Sequence, residues 1–357
     1  MERNTKSRLD SHPGATSSLF TDDLILEILS RLPARSVHRF NGHRHNFASV
    51  LGGAAPFHPS LPYLQPNKDE GIAQVDACNG LLLYRRYKKN MVTPWTEGDF
   101  IVVCNPATGW WVELPPQPQP PAPANIHSPT AGLAFDPVVS SHFHVLTFEE
   151  TNLETYLTGV NIYSSRTRAW SRRDSGMVEK ATLLRSKCVF VGGMLYLMGN
   201  LEDMNGEYVL VGVDMEGKVW KTIRVPYGSK FGTIGSSQGC LHYAVASVDD
   251  NNETLVSEIS LWCLKDNDSK GLVLKHTTSI DKLMSMTGKT YRVVEIHPDC
   301  HTIFLVSNDG DTLAAYDMRH QKIGYILNLE NNTQQFLPYV PMFPEPLPKK
   351  AFAPLYI

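Results

Sequence analysis

Residues 187–226 read KCVFVGGMLYLMGNLEDMNGEYVLVGVDMEGKVWKTIRVP. Four short runs rich in Val, Leu, Ile, Tyr and Phe (KCVFVGG, MLYLMGN, EYVLVGVDM and VWKTIRVP) are separated by Gly, Asn, Asp and Glu. Runs of this length, rich in β-branched and aromatic residues and bounded by turn formers, predict four strands rather than helices. Four more stretches overlay this one. QVDACNG, LLLYRR, DFIVVCNP and WWVELP cover 74–115, and TAGLAFDP, HFHVLTFEE, LTGVNIYS and AWSRRD cover 130–174. GTIGSSQG, CLHYAVASV, VSEISLWCL and LVLKHTTSI cover 232–280, and YRVVEIHP, TIFLVSND, TLAAYDMR and KIGYILNL cover 291–329. A repeat of about 40 to 50 residues carrying four strands is the size of a β-propeller blade. The expected body is therefore an all-β, propeller-like domain of five to six four-stranded units over 72–357. A sixth unit is expected from residues 55–73 together with the tail FLPYVPMF, because propellers often close by pairing both chain ends.

The last hairpin of each unit repeats best. CNPATGWW, YSSRTRAW, DMEGKVW and DMRHQKIGY place a polar turn before an aromatic, which gives Trp111, Trp170, Trp220 and Tyr325 one expected structural role. Large aromatics at that position cover the flank between blades, so they read as packing residues.

Upstream of the repeats the texture is helical. In LFTDDLILEILSRLPARSVHRF, residues 19–40, the apolar Leu24, Ile25, Ile28, Leu29 and Leu32 share one helix face. Thr21 fits an N-cap, Asp22 and Asp23 suit the positive end of the dipole, and Pro33 stops the helix. A second short helix is expected from Ala34 or Ser36, with Val37 and Phe40 as its apolar positions. By pattern alone such a helix also suits simple packing on the main body.

The order of leucines and acids ending in Leu-Pro-Ala-Arg-Ser-Val resembles the first half of an F-box, as found at the N-terminus of plant F-box proteins. After Phe40 the chain reads NGHRHNFASVLGGAAPFHPSLP, which has no tryptophan and departs from the F-box pattern. There NFASVL, residues 46–51, is expected to form a turn of helix. The pieces CNGLLL (78–83), VCNPATGWWVELP (103–115), GLAFDP (132–137) and GGMLYLMG (192–199) resemble the F-box-associated domain of the same proteins, with its kelch-like propeller character. The resemblance implies a disordered lead over 1–18, a small α-helical F-box module over 19–51 that is incomplete after residue 40, a linker over 52–71 and the β body from 72. It further implies a substrate-recognition adaptor of a Skp–cullin–F-box ubiquitin ligase. The Skp-facing candidates are Leu19, Leu24, Ile25, Ile28, Leu29, Leu32, Pro33, Val37 and Phe40, and through Skp the partner is a cullin. The competing reading is a protein-binding module or decoy that has lost Skp binding.

Composition narrows the remaining classes. The chain has 357 residues, 42% hydrophobic and 19% charged, with net charge −3. That is the balance of a globular protein, and it offers no electrostatic footprint for nucleic acid or an anionic membrane. No run approaches the roughly 20 apolar residues of a membrane span. The polar opening MERNTKSRLDSHPGATSS lacks the apolar core of a secretory signal, so a cytoplasmic or nuclear protein is expected. The six cysteines are scattered without a C-x-x-C pair, as reduced core thiols are.

Chemistry-bearing motifs are few. HPDCH, 297–301, is the most metal-like cluster, yet it overlays FDPVVSSHFH as the turn between two strands. Zinc would also need paired ligands from elsewhere in the chain. HRH (43–45) and HFH (142–144) show no third group. The basic run ending GLLLYRRYKK, 80–89, suits a solvated hairpin end. The proline-rich stretch 115–129 reads as a stiff inter-blade loop or a polyproline II ligand. No catalytic residue, metal ligand or cofactor site is assigned from the sequence, and the expected function is binding without catalysis.

Overall fold

A computed structural model describes residues 36–41, 44–49, 64, 70–88, 100–118, 130–151, 156–177, 179–184, 187–202, 206–226, 232–247, 258–265, 271–298, 301–328 and 336–339. By its contacts the chain divides into Met1–Ala34 and Arg35–Ile357. The first of these, with Leu19, Leu24, Ile25, Ile28, Leu29, Leu32 and Pro33, lies outside the described residues.

Among the described residues the second unit is an all-β propeller with five antiparallel blades in chain order. Blade 1 is β3 (Glu70–Cys78), β4 (Leu81–Lys88), β5 (Phe100–Asn105) and β6 (Trp110–Glu113). Blade 2 is β7 (Ala131–Ala134), β8 (His144–Glu150), β9 (Leu157–Ser164) and β10 (Ala169–Asp174). Blade 3 comprises β11 (Ala181–Leu183), β12 (Val189–Val191), β13 (Met194–Leu201), β14 (Tyr208–Asp214) and β15 (Trp220–Arg224). Blade 4 has β16 (Thr233–Ser237), β17 (Cys240–Ser247), β18 (Glu258–Cys263) and β19 (Val273–Ser279). Blade 5 has β20 (Tyr291–Ile296), β21 (Thr302–Ser307), β22 (Thr312–Asp317) and β23 (Lys322–Asn328). These blades coincide with the five repeats read from the sequence.

Turn chemistry sets the register. The first hairpins of blades 1, 3 and 4 turn on Asn79-Gly80, Gly192-Gly193 and Gln238-Gly239, with φ positive at both central residues in each. That geometry matches the right-handed twist of the flanking strands, and glycine adopts it without a Cβ penalty. Each seam between blades then closes over its own apolar cluster. Leu81, Leu83, Leu133 and Val145 fill the seam of blades 1 and 2, and Leu146, Phe148, Leu195 and Val211 that of blades 2 and 3. Tyr196, Met198, Tyr243 and Val245 fill the next, and Leu261, Ile280, Ile303 and Leu305 the last. Stability is therefore distributed over several small cores rather than one.

Between blades 5 and 1 lies a three-stranded sheet ordered β2 (Arg44–Ser49), β1 (Ser36–Asn41), β24 (Phe336–Tyr339). Strand β24 contacts both β20 and β3 and so completes the ring. It pairs antiparallel with β1, from Ser36 opposite Tyr339 to Arg39 opposite Phe336. Pro338, which has no N–H, sits in β24, the edge strand of this sheet, where no second neighbour asks for one.

This sheet corrects three expectations. Val37 and Phe40 lie on a strand, not on a second helix, and NFASVL falls largely in β2. Among the described residues the closing strands come from β1, β2 and β24, and residues 70–73 of the expected closing segment belong to blade 1. The physical reason is tertiary: pairing with β24 satisfies a row of backbone groups that a helix at 36–40 would leave open on the ring's last edge. Within the expected linker, Leu64 is buried with Ile72, Leu82, Tyr84 and Tyr339, and β3 begins at Glu70. One described helix, α1 (Asp281–Thr287), was not expected. It connects blades 4 and 5, buries Leu283, and ends on Gly288 at φ 67.

Candidate functional site at the propeller axis

The five innermost strands each place one residue opposite the third residue of the following strand. These residues are Asp76, Gly132, Val189, Gly235 and Glu295, paired with Leu83, Leu146, Tyr196, His242 and Phe304. They form one layer around the axis, and two of the five are buried carboxylates.

Both acids stand just after a bulge. The pairing of β3 with β4 slips between Gln74 and Asp76, and that of β20 with β21 slips between Val293 and Glu295. A bulge re-aims the next side chain and frees a backbone N–H from the ladder. Each carboxylate takes up an N–H of the residue after it: Ala77 N donates to Asp76 Oδ1 and Ile296 N to Glu295 Oε1, both at 2.9 Å.

Their second contacts reach across the ring. Leu133 N of blade 2 donates to Asp76 Oδ2 at 2.8 Å. Lys187 Nζ of blade 3 reaches Glu295 Oε1 of blade 5 at 2.5 Å. The lysine is free to do so because the inner edge of blade 3 is split. β11 and β12 both pair with β13, and Lys187 lies in the gap between them. Gly235 of the intervening blade makes the crossing possible, since a Cβ there would stand 2.8 Å from the Ile296 Cβ and 3.3 Å from Glu295 Oε1. Further links join adjacent inner strands. Cys188 Sγ donates to Ala131 O at 3.5 Å, Thr233 Oγ1 to Val293 O at 2.8 Å, and Asn79 Nδ2 to Phe135 O at 2.7 Å.

Asp76 and Glu295 are each 1% exposed. Burial pushes the Asp76 carboxyl up to about 7, against the pull of the Leu133 and Ala77 N–H groups and of Lys187. Burial also raises Glu295, with Lys187 opposing it. Glu295 Oε2 has no hydrogen-bond partner. Chemically the layer can hold a proton near neutral pH and lock blades 1, 2, 3 and 5 to one another. Its burial keeps it from meeting a macromolecule.

The two faces of the ring are asymmetric. On one face the connections are the first and third of each blade, mostly tight turns such as 79–80, 192–193 and 238–239. On the other are the second and fourth, including 89–99, the proline-rich 114–130, 248–257 and the segment carrying α1 with exposed Met286.

Trp111, Trp170 and Trp220 share a register, opposite Cys104, Tyr163 and Val213, but not an environment; in blade 5 that place, opposite Tyr316, belongs to Ile323, and Tyr325, expected there, pairs beyond a bulge with Ala315. Trp170 packs between blades 1 and 2 and donates from Nε1 to Pro115 O at 2.8 Å. Trp220 packs between blades 2 and 3, edge-on to Phe148 with ring centroids 6.5 Å apart. Trp111 is 43% exposed, whereas its neighbour Trp110 packs edge-on against Phe143. The side chain of Tyr325 lies outside the described residues. Asp76, Lys187 and Glu295 were missed in the sequence; the available signal was an acid embedded in the apolar runs QVDACNG and YRVVEIHP.

A family model described as F-box protein At3g26010-like, beta-propeller, matches residues 57–339. None of the curated proteins compared with the chain matches it. Among solved structures, a chain of the nidogen/laminin complex is similar at 10% identity and TM-score 0.46, covering 87% of this chain and 100% of that one. Apo AztD from Citrobacter koseri is similar at 9% identity and TM-score 0.41, covering 86% and 98%. Both scores are too low to carry an argument.

Proposed function

Because the chain belongs to the F-box protein At3g26010-like β-propeller family, we propose that it is the substrate-recognition adaptor of a Skp–cullin–F-box ubiquitin ligase, acting in the cytoplasm or nucleus. The family match carries this reading, and the F-box-like Leu19–Pro33 supports it. Leu19, Leu24, Ile25, Ile28, Leu29, Leu32 and Pro33 hold Skp, and the propeller holds a target protein. No residue of this chain performs chemistry; the gain is the raised effective concentration of the target beside the charged ubiquitin enzyme. The target docks on the face of long connections, since tight two-residue turns offer little to vary or to reach with.

A second reading, a binding module or decoy without Skp, is favoured by one observation: Ser36–Asn41 and Arg44–Ser49 are propeller strands and not the later F-box helices. A pull-down of the full chain with purified Skp adaptor separates the two. Capture by wild type, abolished in Leu32→Asp with Pro33→Ala, supports the ligase adaptor. Failure of folded wild-type protein to bind supports the decoy.

A further inference from the structure

On the face of tight turns blade 2 is the exception. Its first connection, residues 135–143 between β7 and β8, is nine residues long where blades 1, 3 and 4 use two. The extra chain is cross-braced. Asp136 Oδ1 accepts Val138 N at 3.0 Å, and Asp136 O accepts Val139 N at 3.1 Å and Ser140 N at 2.9 Å. Ser140 Oγ accepts His142 N at 3.1 Å. Both ends of the loop are tied to other turns. Phe135 O takes the Asn79 Nδ2 bond from blade 1. Phe143 N donates to Ser165 Oγ at 2.9 Å, and Phe143 O accepts Ser165 N at 3.0 Å.

At the tip stand Val138 and Val139, 94% and 80% exposed, while Phe135 and Phe143 at the base are buried. A turn favours Gly, Asn, Asp or Ser at such positions, and stiff, apolar valine suits it least. Single apolar side chains on a surface are ordinary, but a neighbouring pair held out by a braced turn serves no core of this chain. The ground beside the loop is basic. Arg166 and Arg168 are exposed on the turn that Ser165 ties to Phe143. Burial holds the His144 imidazole below its ordinary value, and the nearby charges of His142 and Arg166 lower it further. Arg172, on β10, is engaged by Glu149 and Asp174, whereas among the described residues no carboxylate pairs with Arg166. Asp136, the acid of the loop, commits its Oδ1 to Val138 N.

We infer that the 135–143 loop of blade 2 docks a short acidic segment of a protein partner, with Val138 and Val139 making the apolar contact and Arg166 and Arg168 meeting its Asp or Glu side chains. A braced loop has little freedom left to lose on binding, which favours so compact a contact. An anionic membrane suits it less. The chain carries net charge −3, and the loop has none of the Trp, Tyr and Lys side chains that anchor proteins at a bilayer surface. The surface lies on the opposite face from the long connections and is independent of the proposed Skp contact.

The test selects a random phage-displayed peptide library on the full chain. Recovered peptides are then titrated by fluorescence anisotropy against wild type, Val138→Ser with Val139→Ser, and Arg166→Glu. Wild type is expected to yield peptides rich in Asp and Glu with at least one aliphatic or aromatic residue. The valine double variant is expected to bind them at least about tenfold more weakly. Arg166→Glu is expected to weaken them about threefold to tenfold and to flatten the fall in affinity between about 50 and 300 mM salt. All three side chains are exposed, and circular dichroism verifies that the variants are folded. Recovery of no peptide that the valine variant weakens overturns the inference, as does a loop-dependent set that is not acidic. Co-sedimentation with phosphatidylserine vesicles that the valine variant abolishes, without loop-dependent peptide binding, overturns it in favour of a membrane surface. Should the valine variant fail to fold, Arg166→Glu decides alone.

Discussion

Asp76 and Glu295 occupy the same place in two blades and resolve the same problem differently. Each follows a bulge, each accepts the N–H of the next residue, and each is sealed from solvent. Asp76 finds its second partner in the adjoining strand, a backbone N–H of Leu133. Glu295 takes its second partner from farther off: Lys187, two blades away, reaches it past Gly235 of the intervening blade. A buried carboxylate held by amides alone sits close to neutrality, with its pKa near 7. One held by an ammonium stays tied to that cation, and removing the cation is the costlier insult.

The largest expected effect is therefore on the Glu295 side. Lys187→Met strands a buried carboxylate and is expected to cost about 3–5 kcal/mol in urea denaturation at pH 8. The loss is expected to shrink at low pH as Glu295 protonates, and adding Glu295→Gln is expected to recover much of it. On the Asp76 side the effect is one of pH. Burial pushes the folded carboxyl up to about 7 from the ordinary 3.8, so between those values the folded state holds a proton that the unfolded state releases. Asp76's contribution is complete below about pH 4, declines as pH rises to 7 and is level above, a change of up to about 4 kcal/mol. Denaturation midpoints from pH 4 to 8 should follow that slope, and Asp76→Asn should flatten it. Gly235→Ala probes the space between the two systems. Its Cβ would press on Ile296 and Glu295, for an expected loss of about 1–3 kcal/mol in thermal unfolding. Far from the axis, Trp170→Phe removes the Nε1 bond to Pro115 O and trims the ring that packs against Tyr163 at the edge of the seam, for an expected cost of about 1–2 kcal/mol.

The contrast also marks what a sequence displays. Strand content and the five-fold repeat were legible because period-two apolar runs and Asn-Gly or Gly-Gly turns are local signals. The Lys187–Glu295 pair was not, since nothing in either neighbourhood names a partner 108 residues away. The same limit misled the reading of Val37 and Phe40. Their i, i+3 spacing after Pro33 fits a helical face, while the strand that claims them, β24, lies at the other end of the sequence. A local clue was present: the Asn-Gly pair at 41–42 is a sequence signal for a hairpin. Trp111 shows the opposite error, a repeat position matched correctly whose neighbour Trp110 took the packing role. The contact of His276 with His301 needed strand register, which hydrophobic periodicity does not supply.

The closing sheet makes this ring a clasp rather than a stack. On the ribosome β1 emerges among the first strands and β24 among the last, so the hairpin of β1 and β2 spends most of synthesis with one edge unclaimed. Blades 1 to 5 assemble meanwhile as an open arc whose two outer flanks, at β3 and β20, are bare. Loop closure over nearly the whole chain comes last and is entropically slow. Until Phe336–Tyr339 is released, the unpaired edge of β1 and the bare flanks of the arc are the surfaces on which such a nascent chain is open to aggregation.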